Sequence, residues 1–293
     1  MNVLIDIFFS GVFQGSLYAI MAVGLALIWT TTGVFNFAHG ILIMLGAYVC
    51  WYLMNTDVGI PLVAAIPLSL AVVAALGWCI ERFLVKPFIG RKDLVLIVVI
   101  MTLAASSFFE NAVLGFSGSR PKQLPPLLEG TTNFLGKAVS LNQLVIIALA
   151  PLILAGVWAL LHRTRIGLGL RAVAQNNEAS LLIGLDPAYL FGLTFALAAA
   201  LAALAGIFIG SFKFMSPVMG TEPLTKALIV VIFGGIGSIN GSIVAAYIIG
   251  IIEAFLTYYV GLYWTPSILF LILIGSLMIR PEGLLAVKGR GLS

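Results

Sequence analysis

The chain has 293 residues, 61% hydrophobic and 9% charged, with 15 Lys and Arg against 11 Asp and Glu. A mean hydropathy of +1.16 lies far outside the range of soluble domains, and the net charge of +4 is not gathered into a dense basic stretch of the kind that binds nucleic acid. A soluble enzyme and a nucleic-acid binder are both excluded, and the chain reads as a polytopic integral membrane protein.

Taken in order, apolar runs fall at 4–29, 40–56, 60–81, 93–115, 141–162, 188–212, a short one at 224–236, then 241–262 and 265–280. Most are long enough to cross a hydrocarbon core of roughly 30 Å as a helix, which predicts eight or nine crossings. Backbone hydrogen bonds must close within each span, and the short alternating segments of a barrel are absent, so the class is all-α, a single transmembrane domain over 1–293. The first run has no basic flank before it and is too long for a signal peptide, so it reads as a retained helix. Cys50 and Cys79 lie in apolar runs without CxxC spacing and read as small hydrophobes.

Orientation follows from the basic residues. Arg82, Lys86, Arg91 and Lys92 follow the third span; Arg163, Arg165 and Arg171 follow the fifth; Arg280, Lys288 and Arg290 follow the last. With the N-terminus outside, an odd number of crossings reaches each group, and ten of the fifteen Lys and Arg lie in the cytoplasm.

Two connections are long. The segment 116–140, rich in Pro, Gly and Ser, is predicted outside, either as a plain loop or as a docking surface for an external partner. The segment 163–187 is predicted inside and carries an amphipathic helix. Ala172, Val173, Ala179 and Leu182 supply its apolar side, Gln175, Asn176 and Glu178 its polar side, and Gly184 with Pro187 ends the pattern. Such a helix rests on lipid or presents itself to a cytoplasmic protein.

Catalysis finds no foothold. The histidines are His39 and His162, and there is no HExxH, no clustered Cys/His metal spacing and no GxSxG elbow. Without a GxxxxGK[ST] loop the chain cannot cradle nucleotide phosphates in that way, so any ATP is used by another subunit and no cofactor is expected here.

The polar interruptions carry more. After Trp29 come three threonines, Gly33 and Asn36, and helical hydrophobicity resumes only after Gly40. Unpaired polar groups in lipid cost several kcal/mol each, so these must face protein or water. Transporters use such breaks to build a site within the bilayer. A second interruption, FGGIGSINGS at 233–242, leads in the opposite sense, as an inverted repeat requires. Asn36, Phe37, His39 and Gly40, with Gly234, Gly235 and Gly237, are therefore candidates for lining a pathway. The alternative is packing: a hydrogen-bonded staple for the first group and close helix approach for the glycines.

At these residues the chain resembles the permease subunits of branched-chain amino acid ABC importers. GSLYAIMAVGLALIW at 15–29, GVFNFAHG at 33–40 and MLGAY at 44–48 are similar to the family's first helix and NFAHG signature. SPVMG at 216–220, Lys226, GGIGSINGSIVAAYIIGIIE at 234–253 and RPEGLL at 280–285 are similar to its later part. Many members have an acidic residue after NFAHG, where this chain has Ile41. The resemblance implies that 163–186 is the element coupling the permease to the ATPase, with Arg171, Ala172, Gln175, Asn176, Glu178, Ala179, Gly184 and Asp186 at the contact. It also implies a second related permease subunit, two cytoplasmic ATPase subunits, an extracytoplasmic substrate-binding protein and surrounding membrane lipid. Urea, short amides and aromatic acids are the alternative cargoes. A stand-alone secondary transporter or channel competes with this reading, but Glu110, Glu253 and His39 are its few ionisable candidates within the spans.

Overall fold

The computed structural model describes residues 2–55, 59–134 and 137–285. Eleven α-helices are found among them, with one two-stranded hairpin. The helices are α1 (Asn2–Thr32), α2 (His39–Asn55), α3 (Leu62–Ile80), α4 (Leu94–Ser117), α5 (Leu141–Arg163), α6 (Arg165–Gln175), α7 (Asn177–Leu182), α8 (Pro187–Gly210), α9 (Thr221–Gly234), α10 (Ile239–Tyr259) and α11 (Thr265–Ile279). Antiparallel strands β1 (Thr131–Phe134) and β2 (Lys137–Ser140) precede α5. Every apolar run of the sequence falls on a helix. Six are long and apolar enough to cross a membrane, while α2 and α11 are apolar but shorter. At its end α3 widens into a π turn at Glu81–Val85 and tightens into a 3₁₀ turn at Lys86–Phe88.

The helix ends sort into two faces. The end of α1, the end of α5, the start of α10 and Arg171 line one cleft of about 230 Å³. Trp78 near the end of α3 stacks edge-on with Tyr189 at the start of α8, with centroids 5.5 Å apart. Leu284 and Leu285 donate backbone hydrogen bonds to Phe233 and Gly234, bringing the chain after α11 to the same face. The three basic groups are thus gathered on one side, which is cytoplasmic by the positive-inside rule. Lys288 and Arg290 lie outside the described residues.

The long outer segment is more than a tether. Lys122 and Met215 exchange backbone hydrogen bonds, and Leu124 donates to the Gly210 carbonyl. Asn142 accepts from the Leu127 N–H at 3.0 Å and donates to the Ser211 carbonyl at 3.3 Å and hydroxyl at 3.1 Å. Polar groups at the outer end of α8 are in this way satisfied by protein, as burial demands.

An inverted repeat organises the bundle. Each half has a long helix (α1, α8), a non-helical stretch (33–38, 211–220), a short helix starting inside the protein (α2, α9), and two more helices (α3 and α4, α10 and α11). The halves exchange partners: α2 and α3 pack on α8, while α9 and α10 pack on α1. α1 ends on the cytoplasmic face and α8 on the outer face, so the halves run in opposite senses.

This changes one sequence expectation. The partner of the break at 33–38 is the stretch 211–220. The glycine turn at 235–238 instead joins α9 to α10 and corresponds to the connection between α2 and α3. The two true breaks meet where a methyl group on Gly40 would stand 2.6 Å from the Gly220 carbonyl oxygen, and one on Gly220 would strike the Gly40 carbonyl. Only glycine on both sides lets two backbones approach so closely.

Candidate functional site

Three threonines can end a membrane helix because their hydroxyls turn back on it. Thr30, Thr31 and Thr32 donate to the carbonyls of Ala26, Leu27 and Ile28 at 2.6, 3.0 and 2.7 Å. Gly33 then takes a positive φ of 72° and the chain turns back into the protein. Asn36 is fully buried. Its side-chain oxygen accepts from the Ala38 N–H at 3.0 Å and its carbonyl accepts from the His39 N–H at 3.1 Å, forming the turn that starts α2.

His39, also fully buried, stands 3.1 Å by Nε2 from the Met21 carbonyl oxygen. A carbonyl can only accept, so Nε2 carries the proton and staples the start of α2 to the middle of α1. Thr102 and Ser106 of α4 bind the Phe37 N–H and carbonyl at 3.3 and 3.2 Å. Among the described residues, Asn36 Nδ2 and His39 Nδ1 are buried without a partner.

The expected pathway residues form two groups. Asn36, His39 and Gly40 are enclosed, with Phe37 partly exposed. The other group lies at the cytoplasmic end of α1, where the Gly237 carbonyl is 3.5 Å from the Thr30 hydroxyl. Gly234 is backed against Gly241, and Gly235 against Gly283. The RPEGLL segment folds onto this glycine turn, so two motifs far apart in sequence are one packing unit.

Substitution separates support from transport. His39→Leu and Asn36→Leu each remove a buried hydrogen-bond partner, a change of about 1–3 kcal/mol. We expect both to lower solute flux per assembled complex more than they lower the amount of complex. Flux measured in proteoliposomes, normalised to extracted complex, checks this; wild-type flux in both variants would leave these residues a packing role only.

The cytoplasmic segment differs from one continuous helix. α6 ends at Gln175 and Asn176 leaves helical geometry, its side-chain oxygen accepting from the Ala179 N–H at 2.9 Å to cap α7. Ala172 and Ala179 therefore do not share one helical face, because the cap restarts the helix between them. Arg171, Gln175, Asn176, Glu178, Ala179, Gly184 and Asp186 are exposed, and Ala172 is partly so. Asp186 caps α8, accepting from the Ala188 and Tyr189 N–H groups at 3.0 and 3.3 Å. Leu181, Leu182 and Ile183 stand 58%, 89% and 72% exposed, an apolar tip of which the sequence pattern placed Leu182 on the helix's apolar side.

One group was missed as a unit. Lys226 Nζ lies 2.6 Å from Glu253 Oε1 and 2.8 Å from Glu222 Oε1, while the Tyr18 hydroxyl donates to Glu253 Oε2 at 2.6 Å. The Glu222/Lys226 spacing of four on a short apolar helix was the available signal.

Comparison with known proteins agrees with this architecture. Residues 7–280 match the family described as branched-chain amino acid transport system / permease component. The chain is 34% identical over 291 residues to the high-affinity branched-chain amino acid transport system permease protein LivH of Escherichia coli K12, covering 94% of each chain. It is 32% identical over 289 residues to BraD of Pseudomonas aeruginosa, a permease protein of the same description, again covering 94% of each. The ribose import permease RbsC of Escherichia coli K12 is 28% identical over 82% of this chain and 74% of its own. Among solved structures, PsaBC from Streptococcus pneumoniae in complex with Fab matches with a TM-score of 0.53 at 11% identity, over 93% of this chain and 91% of that one, a likeness of fold. Nearly full-length identity to these permeases and an inverted bundle with helices broken in mid-membrane lead to one conclusion: the chain is a multi-pass protein of the cytoplasmic membrane that belongs to the permease components of branched-chain amino acid transport systems.

Proposed function

We propose that this chain is one of two related permease subunits of an ATP-driven importer for branched-chain or similar apolar amino acids. Two cytoplasmic ATPase subunits drive it and an extracytoplasmic binding protein delivers the solute. The observation that carries the substrate reading is identity across almost the whole chain to permeases named for high-affinity transport of these amino acids. The break at Asn36, Phe37, His39 and Gly40 and the turn at Gly234, Gly235 and Gly237 bound the pathway, the enclosed members holding its wall and the partly exposed ones facing it. The segment Arg171–Asp186 transmits ATPase closure, which its exposed position supports. ATP is hydrolysed by the partners and no cofactor resides in this chain.

The test is uptake into proteoliposomes holding the assembled complex with ATP inside and loaded binding protein outside. We expect leucine, isoleucine or valine to accumulate in an ATP-dependent manner. Accumulation of urea, an amide or an aromatic acid in their place would reassign the cargo, and uptake without ATPase subunits would make the chain a stand-alone carrier.

A further inference from the structure

The cleft at the cytoplasmic face is graded from apolar to polar. It lies between α1, α5, α6 and α10 and encloses about 230 Å³. α1 and α5 both end at this face, and α10 begins there. On α1 the lining passes from Val23 and Leu27 to Thr30 and Thr31, and on α5 from Leu154 and Val157 to His162. Each passage takes eight residue steps, about 12 Å along a helix axis. The third wall agrees, with Ile243 deeper than Asn240. The inner part therefore lies at the depth of acyl chains and the mouth at the depth of headgroups.

The mouth is basic. Arg171 of α6 lines it and is exposed, and among the described residues no salt bridge engages it. His162 stacks on Trp158 with ring centroids 4.8 Å apart and planes 19° apart, and the Arg163 guanidinium lies 6.0 Å from the Trp158 ring. Amphipathic aromatic rings of this kind sit at the membrane–water boundary. No Asp or Glu is among the residues that line the cleft. An amino acid bound here would leave its ammonium without a carboxylate. An anion with an apolar tail meets a complementary group at each end.

We propose that this cleft is a binding site for an anionic phospholipid of the cytoplasmic leaflet. One acyl chain lies against Val23, Leu27, Leu154 and Val157, and Arg171 holds the phosphate at the mouth. Basic pockets between membrane helices on the cytoplasmic side bind anionic headgroups for the same electrostatic reason. Because Arg171 belongs to α6, the lipid also ties the cytoplasmic segment to the bundle.

The experiment is native mass spectrometry of the purified full-length permease, delipidated in detergent and titrated with phosphatidylglycerol or with phosphatidylcholine of the same chains. Phosphatidylglycerol should bind about tenfold more tightly. Arg171→Gln should remove most of that difference, and Arg91→Gln, an exposed arginine elsewhere on the cytoplasmic face, should leave it. Val157→Trp, which puts bulk into the cleft and keeps every charge, should weaken phosphatidylglycerol by a similar factor. Equal losses in Arg171→Gln and Arg91→Gln would overturn the site, leaving only a general attraction to a basic face. Wild-type affinity in either Arg171→Gln or Val157→Trp would overturn it too. Displacement of the lipid by glycerol 3-phosphate would make the cleft a phosphate site without a tail, and displacement by leucine would make it part of the cargo path; either result overturns the lipid reading.

Discussion

Gly206→Ala is expected to leave little folded permease in the membrane. A methyl group at this position of α8 would fall within the van der Waals shell of the Ile43 carbonyl oxygen on α2. The obstacle is backbone, so no side chain can rotate away. The same crossing is tight from the other side, where a methyl group on Gly46 would meet the Cα and carbonyl of Ala203. Overpacking commonly costs about 1–3 kcal/mol and more where backbone must shift. We place Gly206→Ala above that range because α2 and α8 are held from both sides. Gly275→Ala is the control: it lies in α11 with no atom near its added methyl, and alanine is the better helix former. Fluorescence-detected size exclusion of the extracted protein, with its thermal midpoint, reads both. A Gly206→Ala protein as abundant and as stable as Gly275→Ala would mean that the helix crossing is looser than described.

The second large effect concerns the cytoplasmic tip. Leu182→Asp should abolish association with the proposed ATPase subunits while the membrane-spanning bundle assembles normally. Leu182 is 89% exposed, so its replacement should disturb little of the bundle. An unpaired charge buried at a contact costs roughly 3–5 kcal/mol, which corresponds to more than about a hundredfold in affinity. Ala179→Asp, one turn earlier on α7, should act in the same direction. Ala172→Asp, on the separate helix α6, should act more weakly, because the cap at Asn176 turns it away from the tip. Co-purification of the ATPase subunits with each variant, followed by hydrolysis with and without loaded binding protein, is the measurement. Normal co-purification and stimulation in both α7 variants would leave this tip resting on lipid.

Much of this was legible before any coordinates. Membrane crossings are written in long apolar runs, and each run became a helix. The basic loops carried their orientation, and the NFAHG stretch announced a break because Asn36 and His39 cannot stand unpaired in lipid. What remained hidden depended on contacts between distant segments. Ser211–Gly220 reads in the sequence as a plain connection between two apolar runs, and its place as the counterpart of 33–38 follows from the order and packing of the helices and the meeting of Gly220 with Gly40. Glu253 stood out as an ionisable residue within a span and Lys226 as part of the resemblance, but their pairing needs α9 and α10 side by side. The helix in 165–182 was visible in outline, but Asn176 fits a helix pattern by position and breaks it by capping the next one.

The ion network also bears on how the chain enters the membrane. α9 has 14 residues and carries Glu222 and Lys226, so the insertion machinery has little reason to pass it to lipid as a separate span. A lysine near the centre of an inserting helix costs about 2.5–3.5 kcal/mol on the biological scale. Glu222 on the same helix offers Lys226 one carboxylate; the buried one, Glu253, is synthesised 27 residues later, on α10. Biogenesis of this segment is therefore not a relay of finished helices. The buried ion pair of α9 is complete only once α10 delivers Glu253 beside it, so insertion and tertiary folding are expected to be coupled for this part of the chain.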